Sequence, residues 1–419
     1  MIRENDLIIA KDHYYSMDCY ETQLNNNVLV VGTSGSGKTR SIVSPNILQA
    51  YGSYIISDPK GNLHRKYKHY LESQGYTVKK LDFIHPERSS HYNFFNYIHS
   101  QKDILKIAHM LIYCDDSRTK SLDPFWDQSA ELLMTAIIGY LYYHGNEKDR
   151  NMEGILKMIL MCQISEANSS SKNQLDRMMD DIGMQNPSDF AYRQYCMFRL
   201  AAAKTLKSIL ITITAKLGRF NYKELNEMLS YDDIDITSIG NRKTALFVVV
   251  SDTDRSLDDL INIFYTQAMN ELCMYADSYC KDNKLPVDVR FILDDFATNC
   301  LIEDFPKMIA SIRSRGLSTM LMIQAESQLT AAYGDDGKTI IGNCDTYIYL
   351  GGNDVETANQ VARRCDLALQ KILEMPVGSN WIFRRGQKAV HGKNFELEPF
   401  AEEKMKLMKE CKTKMRKVS

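Results

Sequence analysis

The sequence predicts an α/β chain: a mostly parallel sheet with helices on both faces, interrupted by an all-helical insertion. Three observations predict it. The glycine-rich octet Gly32-Thr33-Ser34-Gly35-Ser36-Gly37-Lys38-Thr39 follows directly on the apolar run Val28-Leu29-Val30-Val31, which is the strand-to-loop order of a phosphate-binding P-loop. Short β-type runs alternate with helical patterns towards both ends of the chain, as in βαβ units. Between about Gln101 and Tyr231 the β signal disappears and long helical stretches replace it.

Val28–Val31 is a continuous apolar, β-branched run, the pattern of a strand buried on both faces. Tyr54–Ser57 and Thr77–Leu81 complete the first set of strands. Pro45, shortly after Thr39, cannot donate a helical hydrogen bond, so the helix that follows the octet is expected to bend there. Helical periodicity covers Phe125–Tyr143 and Tyr192–Leu217, broken by the polar loops Asp115–Asp123 and Ser165–Asn173. A second set of β runs follows: Ala245–Ser251, Arg290–Leu293, Thr319–Ile323, Thr346–Leu350 and Trp381–Arg384. The simplest organisation is one nucleotide-binding α/β domain, residues 1–100 and 232–400, split by an insertion at 101–231. The lysine-rich tail 401–419 reads either as a solvated terminal helix or as a contact for an acidic partner or a membrane surface.

At 419 residues the chain exceeds one compact core, and 44% apolar residues suit a folded globular protein. The net charge of −2 means that any nucleic-acid contact comes from a local surface. Ten cysteines without a Cys-x-x-Cys pair or a Cys/His cluster argue against zinc and for reduced thiols in a cytosolic compartment. Met1-Ile2-Arg3-Glu4-Asn5-Asp6 lacks the layout of a signal peptide. Leu132–Tyr143, the longest apolar segment, is too short to cross a bilayer.

The octet supplies the first half of a candidate site. Its glycines let the backbone curl round an anion, Lys38 would reach the β- and γ-phosphates, and the Thr39 hydroxyl would hold Mg²⁺. The second half is Arg290-Phe291-Ile292-Leu293-Asp294-Asp295, a buried strand that delivers two acids at its carboxyl end. Asp294 would hold Mg²⁺ through water and Asp295 would polarise the attacking water; the alternative is a strand ending in an acidic turn. Gln324, after Thr319–Ile323, is either a strand terminator or a sensor that contacts the γ-phosphate or water without adding charge. Arg313 and Arg315 are either surface arginines or an arginine finger for a neighbouring subunit. Asp58-Pro59-Lys60-Gly61 is good turn chemistry, and at the end of its strand Asp58 and Lys60 could also face the ligand.

These motifs together resemble the coupling proteins of type IV secretion and conjugation, the TraG/TraD group, and more distantly the FtsK-type DNA pumps. The resemblance rests on Asn26-Asn27 leading into the octet, Ser44-Pro45-Asn46, Ser57-Asp58-Pro59-Lys60-Gly61-Asn62-Leu63 and Asp123-Pro124-Phe125-Trp126-Asp127. It continues through Leu293-Asp294-Asp295-Phe296-Ala297, Ile312-Arg313-Ser314-Arg315-Gly316, Ile323-Gln324-Ala325-Glu326-Ser327-Gln328-Leu329 and Gly342-Asn343-Cys344-Asp345-Thr346. It covers nearly the whole chain and is closest to coupling proteins of Gram-positive conjugative elements.

The resemblance implies a RecA-like P-loop NTPase domain that uses ATP and Mg²⁺, works as a homo-hexameric ring and sits at the cytoplasmic face of the bacterial plasma membrane. It implies recruitment of a relaxase bound to single-stranded DNA, delivery to type IV secretion channel proteins, and a helical insertion that helps to recognise the relaxosome. Two features depart from the family pattern. Nothing hydrophobic precedes Val28 where members carry membrane helices, so the expectation is either a separate membrane-anchoring partner or a shortened soluble form. Asp295 stands where the family commonly has glutamate; one methylene less moves the carboxylate by about 1.5 Å, so slow hydrolysis is expected unless DNA or a neighbouring subunit closes the site. Three functions follow in order of preference: a DNA-transfer motor, a nucleotide-gated docking adaptor with little turnover, and a double-stranded DNA pump.

Overall fold

The computed structural model describes residues 2–113, 124–162, 172–202, 205–298 and 300–406. The expected loop at 115–123, residues 165–171 of the loop expected at 165–173, and residues 407–419 of the tail expected at 401–419 lie outside the described residues. The chain divides into two compact units, Met1–Ile84 with Asp235–Thr253 and Ala268–Ser419, and His85–Ile234 with Asp254–Gln267.

The first unit is built on a nine-stranded sheet and a two-stranded hairpin. The hairpin strands are β1 (Asp6–Ala10) and β2 (His13–Ser16). The sheet comprises β3 (Val28–Val31), β4 (Ser53–Pro59), β5 (Thr77–Asp82), β6 (Thr244–Val250), β7 (Val289–Leu293), β8 (Leu317–Ile323), β9 (Thr346–Tyr349), β10 (Ser379–Arg384) and β11 (Val390–Lys393). Its order is β11-β10-β9-β3-β8-β7-β4-β6-β5. From β9 to β5 every pairing is parallel; β10 runs antiparallel to both β9 and β11. Each β run expected from the sequence is present. β3, β6, β7, β8 and β9 are buried along their whole length, because helices cover a parallel sheet on both faces and the strands then need apolar residues at successive positions.

The hairpin and β11 were not apparent as β runs. The hairpin is held by the side chain of Asn46, which accepts from the Ile8 amide at 3.1 Å and donates to the Ile8 carbonyl at 2.7 Å, as a neighbouring strand would. The same amide donates to the Ile42 carbonyl at 2.7 Å. The irregularity expected at Pro45 takes the form of a π turn, Thr39–Val43, running into the helix Ser44–Leu48. Proline leaves a gap in the helical ladder, and the Ser44 amide reaching back to the Thr39 carbonyl spans the wider turn.

In the second unit, all regular elements among the described residues are helical. Its helices start where the sequence supplies caps: Ser100 with Asp103 and Asn173 with Asp176 form capping boxes, and Asn151 accepts from the Gly154 amide. The unit begins at His85, before residue 101, because Tyr92 packs edge-on to Phe264 with centroids 5.1 Å apart and Gln267 donates to the Phe94 carbonyl at 3.0 Å. The stretch expected as one helix over Tyr192–Leu217 is two, Phe190–Ala202 and Leu206–Leu217, with Thr205 off helical backbone at φ −127° and ψ 5°. Among the described residues no helix is long and apolar enough to cross a membrane.

Lys216 on Leu206–Leu217 pairs with Asp127 on Pro124–Tyr143 at 3.2 Å, both side chains 9% exposed, and also donates to the Ile112 carbonyl at 2.6 Å. Removing one member of a buried pair strands the other charge. Lys216→Met is therefore expected to lower the unfolding free energy by about 3 kcal/mol, with Asp127→Leu added to it recovering most of the loss in chemical denaturation.

Candidate nucleotide site

The octet begins at the carboxyl end of β3, between β8 and β9, at the edge of a parallel sheet where ligands bind. The Gly32 amide bonds to the Ile323 carbonyl of β8 at 3.1 Å and the Thr33 amide to the Gly351 carbonyl after β9 at 3.2 Å, so both neighbouring strands hold the entry to the loop. Two glycines are obligatory for different reasons. A Cβ on Gly32 would lie 2.5 Å from Ser36 Oγ and 2.9 Å from Leu350 Cβ. Gly37 has φ +97°, a conformation that other residues rarely adopt.

The two halves of the expected site meet. Thr39 Oγ1 donates to Asp294 Oδ2 at 2.8 Å although the residues lie 255 positions apart. Asp294 is buried; burial pushes its carboxyl above the usual aspartate range, and the Thr39 bond opposes this. Ser57 Oγ donates to the Asp294 carbonyl at 3.3 Å and anchors the turn from β4. Lys38 Nζ donates to the carbonyls of Gly32 at 2.6 Å and Thr33 at 3.2 Å. Burial lowers the Lys38 ammonium, while the nearby charges of Asp295 and Asp294 raise it. The Asp295 backbone is left-handed, φ +51°, a conformation in which aspartate is several-fold enriched among non-glycine residues.

Gln324 directly follows β8, the strand that separates β3 from β7. Its side chain is exposed and its amide donates to Gln328 Oε1 at 2.7 Å. It therefore stands between the octet and the paired acids. Arg313 and Arg315 lie at the opposite end of the same strand, which spans about 23 Å at roughly 3.3 Å per residue. Arg315 is clamped by Asp277 through two bonds of 2.8 and 2.7 Å, and Arg313 donates to the Cys19 carbonyl at 3.2 Å.

Asp58 and Lys60 are not brought against the octet, because β8 and β7 stand between β3 and β4. Asp58 instead caps the helix Asn62–Ser73, accepting from the amides of Leu63 at 2.9 Å and His64 at 2.8 Å. Lys60 pairs with Asp252 at 2.6 Å. Turn and cap chemistry accounts for both positions.

One contact with the octet had no local sequence signal. Asn394, after β11, donates to the Ser36 carbonyl at 3.3 Å and accepts from the fully buried Asn380 at 3.0 Å. Arg40, next to Thr39, pairs with Glu398 at 2.7 Å. The segment following β11 thus straps the octet from outside. An asparagine in a polar stretch shows nothing of a contact made 358 residues away.

The donor set suits a nucleotide phosphate with a hard divalent cation: a lysine beside a hydroxyl and a carboxylate that are bonded to each other, and no thiol or imidazole among them. A family described as "Type IV secretory system Conjugative DNA transfer" matches residues 3–366. VirD4 of Rhizobium radiobacter is 22% identical over 80% of this chain and 47% of its own length, and VirD4 of Agrobacterium fabrum is 22% identical over 80% and 48%. The chain thus spans about half the length of the curated relatives it matches. Among solved structures, the bacterial conjugative coupling protein TrwBΔN70 in its unbound form superposes with a TM-score of 0.66 at 16% identity, covering 93% of this chain and 88% of that one. TrwB in complex with ADP and Mg²⁺ superposes with a TM-score of 0.62 at 15% identity, covering 88% and 85%. With the octet, the paired acids and the parallel sheet in a single order along 364 matched residues, the chain belongs to the type IV secretory system conjugative DNA transfer family.

Proposed function

We propose that this chain is a Mg²⁺-dependent ATPase that acts as the coupling protein of a conjugative type IV secretion system, driving relaxase-bound single-stranded DNA into the secretion channel. The observation that carries the reading is the Thr39–Asp294 contact beside Lys38, with Gln324 in the gap between their strands. Family membership supports the transfer role, and the likeness to a fold solved with ADP and Mg²⁺ supports the choice of ligand.

In this reading Lys38 exchanges the Gly32 and Thr33 carbonyls for phosphate oxygens. Thr39 Oγ1 and Asp294 would hold the cation. Bound Mg²⁺ would supply neutralisation of the phosphate charge. Asp295 accepts the proton of the attacking water and Gln324 orients that water. Arg313 and Arg315, at the far end of β8, reach no phosphate on their own chain; a finger role is met only across a subunit boundary, which supports a homo-hexameric ring. Arg313 suits that role better because Arg315 is already committed to Asp277. The helical unit, residues 101–231 in the expected domain division, is the surface for the relaxosome. The α/β segments 1–100 and 232–400 form the motor, and the tail 401–419 is an accessory basic segment. A membrane-anchoring partner would hold the assembly at the cytoplasmic face of the membrane. Asp58 and Lys60 act on the site only indirectly, by shaping the turn beside Asp294.

The deciding experiment is steady-state ATP hydrolysis without DNA, with single-stranded DNA and with duplex. Stimulation by single strands that vanishes in Lys38→Ala, with the fold intact, is the expected result. Tight Mg-ATP binding without turnover in any condition would sink the motor and favour the docking adaptor; preferential stimulation by duplex would favour the double-stranded pump. Asp295→Asn keeps the left-handed backbone and removes the base, so turnover should fall at least about a hundredfold while Mg-ATP binding is retained. Asp295→Glu should leave turnover unchanged or raise it, at a stability cost of about 1 kcal/mol for a longer side chain at positive φ. Asn394→Ala should weaken nucleotide binding about fivefold, the equivalent of one hydrogen bond, as read by titration calorimetry.

A further inference from the structure

At the amino-terminal edge of β7 and β8, away from the octet, lies a cleft of about 630 Å³. Its charged lining comprises Lys284, Arg290, Arg313 and Arg315 against Asp18 and Asp288. Both acids are engaged locally: Asp18 caps a short turn by accepting from the Tyr20 and Glu21 amides, and Asp288 pairs with Lys284 at 3.3 Å. Arg315 is neutralised by Asp277. Two cations are left over. Arg313 donates to the Cys19 carbonyl at 3.2 Å and lies against the Cys19 thiol, with no carboxylate paired to it among the described residues. Arg290 is 6% exposed and donates through Nε to Ser318 Oγ at 3.2 Å, with no carboxylate paired to it among the described residues.

Arg290 is the unusual group. A guanidinium stays charged in proteins, and burying a charge without a direct ion pair costs several kcal/mol; Asp288 attracts Arg290 from beyond ion-pair distance and offsets only part of that. Burial lowers its pKa from the usual arginine value, which marks how poorly the site solvates the cation. An oxyanion entering the cleft would supply the missing partner, and the planar guanidinium forks match phosphate geometry. The volume lies within the range of small-ligand sites, about 300–1,000 Å³. Ser311, Ser314 and Ser318 add hydroxyls to the same walls.

We propose that this cleft is a second anion site that takes a phosphate group through Arg290, with Lys284 at its rim, separate from the P-loop. The phosphate comes either from a small nucleotide-like ligand or from a nucleic-acid backbone, which share this chemistry. The site stands opposite the paired acids on the same strand, since Arg290 and Asp294 mark the two ends of β7.

The test uses the full chain carrying Lys38→Ala, so that the P-loop does not dominate phosphate binding and ATP turnover is not needed. Pyrophosphate and a single-stranded oligothymidine are titrated separately by calorimetry. Saturable binding of either probe is expected, weakened at least tenfold by Arg290→Gln and restored in part by Arg290→Lys. Because a buried arginine can be needed for folding, Lys284→Gln at the partly exposed rim serves as the second variant, with binding expected to weaken severalfold. Binding of pyrophosphate alone identifies a small phosphate ligand; binding of the oligonucleotide, displaced by pyrophosphate, identifies a nucleic-acid backbone. No saturable binding of either probe, or binding indifferent to both Arg290→Gln and Lys284→Gln in folded protein, overturns the proposal.

Discussion

The parallel register of β3, β8 and β7 is the constraint on which the rest of the molecule depends. Val31 sits level with Ile323, and Leu293 level with Leu321, so the three strands finish within two residues of one another and release the octet, Gln324 and Asp294 along one edge. The Thr39–Asp294 bond, 2.8 Å long, is the visible product of that alignment. A slip of one residue in any of these strands would turn each side chain to the other face of the sheet and break the constellation. Continuous burial on both faces makes such a slip expensive, so the apolar strands that build the core also set the precision of the site.

That edge concentrates strained and desolvated groups. Lys38 and Asp294 are both buried and each is driven towards its neutral form, yet each lies within reach of the other's charge. Asp295 keeps a left-handed backbone and the octet needs two further positive-φ glycines, Gly35 and Gly37. Groups arranged in this way cost stability and persist where the surroundings over-determine them. Here the surroundings are Ser57 behind Asp294, Gly351 beside Thr33 and Asn394 over Ser36. The opposite edge repeats the theme with Arg290, a buried cation that forms no ion pair among the described residues.

Much of the fold was legible because buried parallel strands advertise themselves as unbroken apolar runs, and β3, β6 and β8 show this plainly. The hairpin was not, because the Asn46 side chain bonds β1 as a neighbouring strand would, a contact 38 residues distant. β11 carries few apolar residues and lies at the sheet edge, where no second face demands them. The helical stretch to Leu217 kept its periodicity across the start of a new helix, where Thr205 leaves helical backbone, and periodicity does not register such a break. Asp58-Pro59-Lys60-Gly61 left turn chemistry and ligand contact both open, and the strand order favours the turn.

The sequence by itself determined the α/β class, the phosphate loop and the acids that face it, because each rests on local chemistry: glycines for positive φ, a lysine and a hydroxyl at fixed spacing, carboxylates directly after an apolar run. Only the tertiary structure decided that Asn394 holds the octet, that Asp58 caps a helix, that Arg313 and Arg315 lie beyond reach of their own chain's P-loop, and that Arg290 is buried with no ion pair among the described residues. These are matters of strand order and of contacts between distant segments. A linear pattern carries no record of which strand becomes the neighbour of which.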